Sequence, residues 1–195
     1  MFSASSSPAT RADWAARLKG VLLDPAEAAA LDVHGRIDAA VLVPLFVSGG
    51  ALHAVFTRRR DDLRRHAGEI SFPGGRQDDD ESDLRLTALR EAEEEIGLPP
   101  DAVELIGALQ PTPTIATNYA VYPFVGLIEP GTQWVPEARE VAEVLEFPLE
   151  EVRAAHGFKR LVRKGVPFRT DTYEIRDAMI WGATARIVAD LLRRV

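Results

Sequence analysis

The stretch from Gly74 to Leu98, GGRQDDDESDLRLTALREAEEEIGL, limits the possible folds more than any other part of this chain. Leu86, Leu89, Ala92 and Ile96 recur at helical spacing, which predicts a helix over 83–96 with one apolar stripe. Arg85 falls on the same side, in the first turn, where it can still reach solvent. Gly97 ends the helix, and Pro99 and Pro100 forbid its continuation. On the other flank, Ile70-Ser71-Phe72-Pro73-Gly74-Gly75 reads as a short strand stopped by proline and glycine.

The remaining elements interleave strands with helices. Trp14, Leu18, Val21 and Leu22 have helical spacing from Asp13 onward, and Pro25 suits the first turn of a second short helix. Runs 39–46 and 52–57 read as a hairpin joined by Val47-Ser48-Gly49-Gly50-Ala51. Further strands are expected at 103–109, 121–128, 144–148 and 168–175, with Lys164-Gly165 as a turn. Ile187, Val188, Leu191 and Leu192 mark an amphipathic helix over 180–195. This order predicts an α/β fold in which a mixed sheet is covered by helices on both faces. Residues 1–12 read as a flexible start, and 13–195 as a single domain.

Composition then narrows the chemistry. Without cysteine there is no disulfide framework, thiolate metal site or cysteine nucleophile, and a cytoplasmic location is expected. With 30 acidic against 23 basic residues, a net charge of -7 argues against a chain that holds nucleic acid by its overall field. The longest apolar run, 39–47, is interrupted by Pro44 and falls short of the ~20 residues that span a bilayer, so no membrane partner is expected. A polyanionic substrate would need cations to approach such a protein.

Glu91, Glu94 and Glu95 share one arc of the predicted helix, placed on the side away from Leu89, Ala92 and Ile96. Glu91 and Glu95, one turn apart, are best placed to hold one ion between them. Glu94 and Glu95 also occupy the last turn, where the helix dipole disfavours acids by a further ~0.3–1 kcal/mol. A solvated glutamate-rich face is the plain alternative, but the double glycine sets this helix apart. It lets backbone approach a ligand, and the Gly75 carbonyl adds a hard oxygen. Such donors suit Mg²⁺ or Mn²⁺ rather than zinc. Arg90 can pair with Asp80 or Glu81 and pin the loop to the helix.

These residues resemble the signature of the Nudix hydrolases, G-x5-E-x7-R-E-U-x-E-E-x-G-U with U apolar. Arg90-Glu91-Ala92-Glu93-Glu94-Glu95-Ile96-Gly97-Leu98 matches its second half position by position. Eight residues instead of seven separate Glu81 from Arg90, so Asp80, Glu81 or Ser82 can stand at the first acid. The preceding stretch is similar to the pattern of the coenzyme A pyrophosphatase branch, through Thr57, Arg59, Arg64, Gly68, Phe72, Pro73, Gly74 and Gly75. Val55 and Phe56 stand where that pattern has leucines, and Arg60 where it has a small residue. Weaker similarity occurs at Glu140-Val141-Ala142-Glu143-Val144 and at Trp181-Gly182-Ala183-Thr184-Ala185.

The resemblance implies a Nudix-like α/β/α sandwich and Mg²⁺- or Mn²⁺-dependent hydrolysis of a diphosphate bond in coenzyme A or its derivatives. Glu91, Glu95, Glu94 and Gly75 would hold the metal, with Glu94, Arg90 and Glu140 in catalytic roles and Glu94 or Glu140 as the base. Arg58, Arg59, Arg64 and His66 belong to a local basic patch whose guanidinium groups suit phosphate oxygens, and they are the candidate contacts to a small nucleotide substrate. A different nucleoside diphosphate conjugate such as ADP-ribose is the alternative substrate. A nucleotide sensor without turnover is the alternative class, though retention of all three signature glutamates favours catalysis. Oligomeric state is not legible here. The 110–122 stretch suits a loop over a cleft, with Tyr119 and Tyr122 in ordinary packing roles.

Overall fold

A computed structural model describes residues 8–62, 68–114, 118–163 and 165–195. The chain runs α1 (Arg11–Lys19), α2 (Pro25–Ala29), β1 (Ile37–Ser48), β2 (Ala51–Arg59), β3 (Ile70–Ser71), β4 (Gly74–Arg76) and α3 (Leu84–Ile96). It continues through β5 (Glu104–Ala108), β6 (Thr112–Pro113), β7 (Tyr119–Leu127), β8 (Val141–Pro148) and α4 (Leu149–Ala154). β9 (His156–Arg163), β10 (Val166–Ile175), β11 (Ala178–Trp181) and α5 (Gly182–Arg194) complete it.

Gly49 and Gly50 both have positive φ, 59° and 83°, as a two-residue type I′ turn requires, so β1 and β2 close into the expected hairpin. β1 also pairs antiparallel with β4, Ala40 opposite Gly75, and parallel with β7, Ala40 opposite Tyr122. β3 and β8 join β2, while β5 and β6 join β7, giving a mixed sheet. Because side chains alternate along β1, Leu42 and Phe46 enter one core with α2 and α3, whereas Val43 and Leu45 enter the other with α1, α4 and α5. This is the α/β/α layering expected. No helix among the described residues is long and apolar enough to cross a membrane.

Several expectations need correction. β9, β10 and β11 form a separate three-stranded antiparallel sheet, whereas one sheet was anticipated. β9 was not predicted as a strand because Lys159, Arg160 and Val162 are exposed and give no buried face to read. Ile180 and Trp181 complete β11, so the last helix begins at Gly182, whose φ of 68° turns the chain. At the other end, α1 starts at Arg11, inside the stretch expected to be flexible. A capping box between Thr10 and Asp13 satisfies its first amides. Lys164 of the anticipated 164–165 turn lies outside the described residues, as do 115–117 of the anticipated loop. Tyr122 is buried and donates its hydroxyl to the Leu31 carbonyl, a packing role as expected.

Candidate active site

Helix α3 is fixed at both ends by its own sequence. Asp83 caps its start by accepting the Arg85 amide at 2.9 Å. Gly97 ends it in the left-handed conformation at φ 68°, its N–H donating to the Glu93 carbonyl at 2.9 Å. The face turned to the sheet carries Leu84, Ala88, Ala92 and Ile96, with Leu89 packed beside them; of the anticipated stripe only Leu86 is misplaced, being 57% exposed. At ~100° per residue, Glu91 and Glu95 lie within roughly 20° of Leu84, so they belong to the inner face and not to the outer arc anticipated. Glu95 is accordingly 7% exposed, and Glu94 alone of the three projects outward.

Acids fit on that inner face because the strand beneath, β4, begins with two residues that have no side chain, Gly74 and Gly75. Gly74 has φ 157° and donates its N–H to Glu95 Oε2 at 3.3 Å. A Cβ on Gly75 would lie 2.4 Å from Glu91 Oε1. The double glycine thus serves close approach of carboxylates to backbone.

Arg90 organises the outer edge. Its Nε donates to Glu81 at 2.8 Å, and one Nη donates to Glu91 at 2.9 Å and to Glu94 at 3.1 Å. Of the two partners anticipated it takes Glu81 and not Asp80, with Asp78 at 3.5 Å as an addition. Glu81 also accepts from Thr87 Oγ1 at 2.7 Å. Hydrogen bonding from Arg90, above all, holds the Glu81 carboxyl down at about 2, against an ordinary 4.5. The same contact raises the Arg90 pKa further.

Burial acts the opposite way on the inner acids. Desolvation raises Glu91, although Arg90 opposes it. Glu95 is pushed up to about 8 by desolvation, reinforced by Glu91 and Glu140 and opposed by Arg59 and the Gly74 amide.

Arg59 arrives from the end of β2, where an extra residue on β8 shifts the register between Arg58 and Arg59. One Arg59 nitrogen is 3.7 Å from Glu95 and another 3.3 Å from Glu140, while its buried Nε has no partner among the described residues. Arg58 goes elsewhere, to Glu143 at 3.2 Å and Asp177 at 2.9 Å. Arg64 and His66 lie outside the described residues.

A cleft of about 380 Å³ lies beside the signature acids, lined by Glu91, Glu94, Glu95, Glu137, Arg139 and Glu140. Glu137 and Arg139 were not singled out from the sequence. Their only signal was the charged run around Glu140, which resembles many solvated loops.

The oxygen-only donor set suits a hard divalent cation, and Glu95 adds a specific reason. Its buried carboxyl has one long amide contact and one offset guanidinium, so a nearby cation would favour its charged form. As they stand, no three metal-ligating side chains among the described residues converge on one point. Arg90 draws Glu91 and Glu94 to itself.

Residues 36–165 match the NUDIX domain family. The chain is 38% identical over 165 residues to the Nudix hydrolase NudL of Pectobacterium atrosepticum, covering 84% of this chain and 85% of that protein. It is 38% identical over 159 residues to NudL of Yersinia pestis, covering 80% and 79%. Among solved structures, a MutT/nudix family protein from Enterococcus faecalis aligns over 95% of this chain and 74% of its own, with 14% identity and a TM-score of 0.52. The binary complex of a C. elegans Ap4A hydrolase aligns over 60% and 82%, with 18% identity and a TM-score of 0.50. At these identities the two structures speak for the fold alone.

Proposed function

The chain belongs to the Nudix hydrolases, and from that premise we propose that it hydrolyses the diphosphate bond of coenzyme A or its derivatives. The products are 3′,5′-ADP and 4′-phosphopantetheine, or the acyl form of the latter. The observation that carries this reading is the position of Arg59. It comes from the stretch similar to the coenzyme A branch, and it pairs with Glu95 of the signature helix and with Glu140 across the cleft.

In this reading Glu91, Glu94, Glu95 and the Gly75 carbonyl hold Mg²⁺ or Mn²⁺. Such an ion, when bound, neutralises the diphosphate and stabilises charge on the leaving oxygen. Arg90 keeps Glu91 and Glu94 side by side, and Glu81 braces Arg90 from behind. Arg59, whose guanidinium stands between Glu95 and Glu140, contacts a phosphate oxygen through its terminal nitrogens, and Arg64 and His66 extend the same basic stretch. A carboxylate at the cleft, Glu94 or Glu140, accepts the proton of the attacking water. The ion pairs of Arg58 with Glu143 and Asp177 give it a structural role instead.

The test is product analysis by mass spectrometry after incubation with coenzyme A and Mg²⁺. Wild type is expected to release 3′,5′-ADP, and Glu95→Gln to slow release by at least about 100-fold, as when a charge-stabilising group is lost. Turnover of 3′-dephospho-coenzyme A and of ADP-ribose is measured alongside. Preference for either would move the assignment to another nucleoside diphosphate conjugate, and equal rates for wild type and variant would overturn the role of Glu95.

A further inference from the structure

Arg139 stands out among the guanidinium groups around the cleft. Arg59, Arg60, Arg76 and Arg90 are all ion-paired with carboxylates. Arg139 makes no ion pair among the described residues, although Glu137 and Glu140 flank it in sequence and line the same cleft. The reason is visible in the turn. The Glu137 carboxylate accepts the backbone N–H of Arg139 at 3.0 Å, and the Glu140 carboxylate is taken by Arg59. Both neighbours are thereby engaged, and the Arg139 side chain is left to the cleft.

The turn itself is held from several sides. The Glu137 N–H donates to the Glu95 carbonyl at 2.9 Å, which ties the turn to the last turn of α3. The Glu140 N–H donates to the Glu137 carbonyl at 2.9 Å and closes it. Arg60 donates its own amide to the Glu140 carbonyl at 3.0 Å and its Nη1 to the Ala138 carbonyl at 2.7 Å, with Asp62 bracing the guanidinium at 2.7 Å. Arg60 occupies the position where the coenzyme A branch pattern has a small residue, and the turn it grips is the one that carries Arg139.

We infer that Arg139 binds a phosphate group of the substrate, an assignment that rests on the diphosphate hydrolase reading and adds a residue to it. Five of the six cleft-lining residues are glutamates, so an approaching diphosphate meets a repulsive wall. An unpaired guanidinium on that wall supplies a planar fork for two phosphate oxygens. Because the turn is pinned by its backbone, Arg139 surrenders little order beyond its own side chain when it engages.

The experiment compares wild type, Arg139→Ala and Arg139→Lys in two measurements. One is the affinity for ADP in the presence of Mg²⁺ by titration calorimetry. The other is steady-state hydrolysis of coenzyme A. Arg139→Ala is expected to weaken ADP binding and raise KM by about 10- to 100-fold, with kcat within about 3-fold of wild type, the pattern of a lost binding contact. Lysine restores part of the loss, since it keeps the charge without the fork. Urea unfolding should be unchanged, because the side chain is exposed. Unaltered ADP affinity and KM, a fall in kcat at constant KM, or a wild type without affinity for ADP each overturns the inference. Arg139-dependent ADP binding without hydrolysis of any diphosphate ester would sustain it while refuting the hydrolase reading.

Discussion

Glu95 is placed at a cost to folding, and Glu95→Gln measures that cost. Its carboxyl titrates near 8 in the folded protein, against 4.5 for an ordinary glutamate, mainly because burial removes it from water. A folded-state pKa above the unfolded value means the folded protein binds the proton more tightly than the unfolded chain does. The associated stability is fully present below about pH 4.5 and is lost as pH rises through about 8. At about 1.4 kcal/mol per pKa unit, burying this carboxyl costs about 3 kcal/mol at pH 7, where folding must take up a proton, and about 5 kcal/mol above pH 8, where it is buried ionised. Glutamine keeps the shape and an oxygen for the Gly74 amide but carries no charge. Relaxation and water entry absorb part of the difference, so we expect Glu95→Gln to exceed wild type by about 1–3 kcal/mol at pH 7 without divalent cations. In a chain of this size, that is a rise in Tm of roughly 2–12 °C. The assay is urea and thermal unfolding in EDTA, followed by tryptophan fluorescence near pH 5, 7 and 8.5. The variant's advantage should be small at the lowest pH and grow with pH. A variant less stable than wild type near pH 8.5, or a difference that does not change with pH, would refute the argument.

Gly75→Ala places a methyl 2.4 Å from the mobile end of Glu91, so the carboxylate must move while the backbone need not. Coenzyme A hydrolysis should fall at least about 10-fold, and melting should reveal a stability loss below about 1 kcal/mol. Glu81→Gln removes the principal brace of Arg90. Because the folded pKa of Glu81 is depressed to about 2, its contribution is present above about pH 4.5 and lost as pH falls through about 2. Acid titration followed by circular dichroism should therefore show the variant less stable than wild type above pH 4.5, with the gap closing below about 2. Leu86→Gln should change stability by less than about 0.5 kcal/mol, since its side chain is largely exposed. Leu84→Ala should cost about 2 kcal/mol or more. Equal losses in chemical denaturation would contradict the inner face assigned to α3.

Much of the local structure was legible because it depends on near neighbours in sequence. Gly97 stops α3 where the sequence placed the stop, since the left-handed conformation there is cheap only for glycine. Gly49-Gly50 closes the first hairpin for a related reason. Leu89, Ala92 and Ile96 of the α3 stripe do pack inward, but Leu86 fits the helical period as well as Leu84 does, and it is Leu84 that is buried. Periodicity gives the angle between side chains but not which angle meets the sheet. β9 escaped notice because a strand with exposed side chains on both faces is recognised only through its partner, β10.

The sequence by itself determined the chemical inventory: a helix ending at Gly97, carboxylates at 91, 94 and 95, an arginine at 90, and glycines free of side chains at 74 and 75. Only the tertiary structure decided that Glu91 and Glu95 face inward onto that glycine strand, and that Glu81 is the partner Arg90 takes. It alone brought Arg59 from the end of β2 and the 137–140 turn from far downstream to the same carboxylates. Spacing along one element is set by bond geometry, whereas meetings between distant segments are set by how the sheet and its helices bury their apolar faces, and no short stretch of sequence records that.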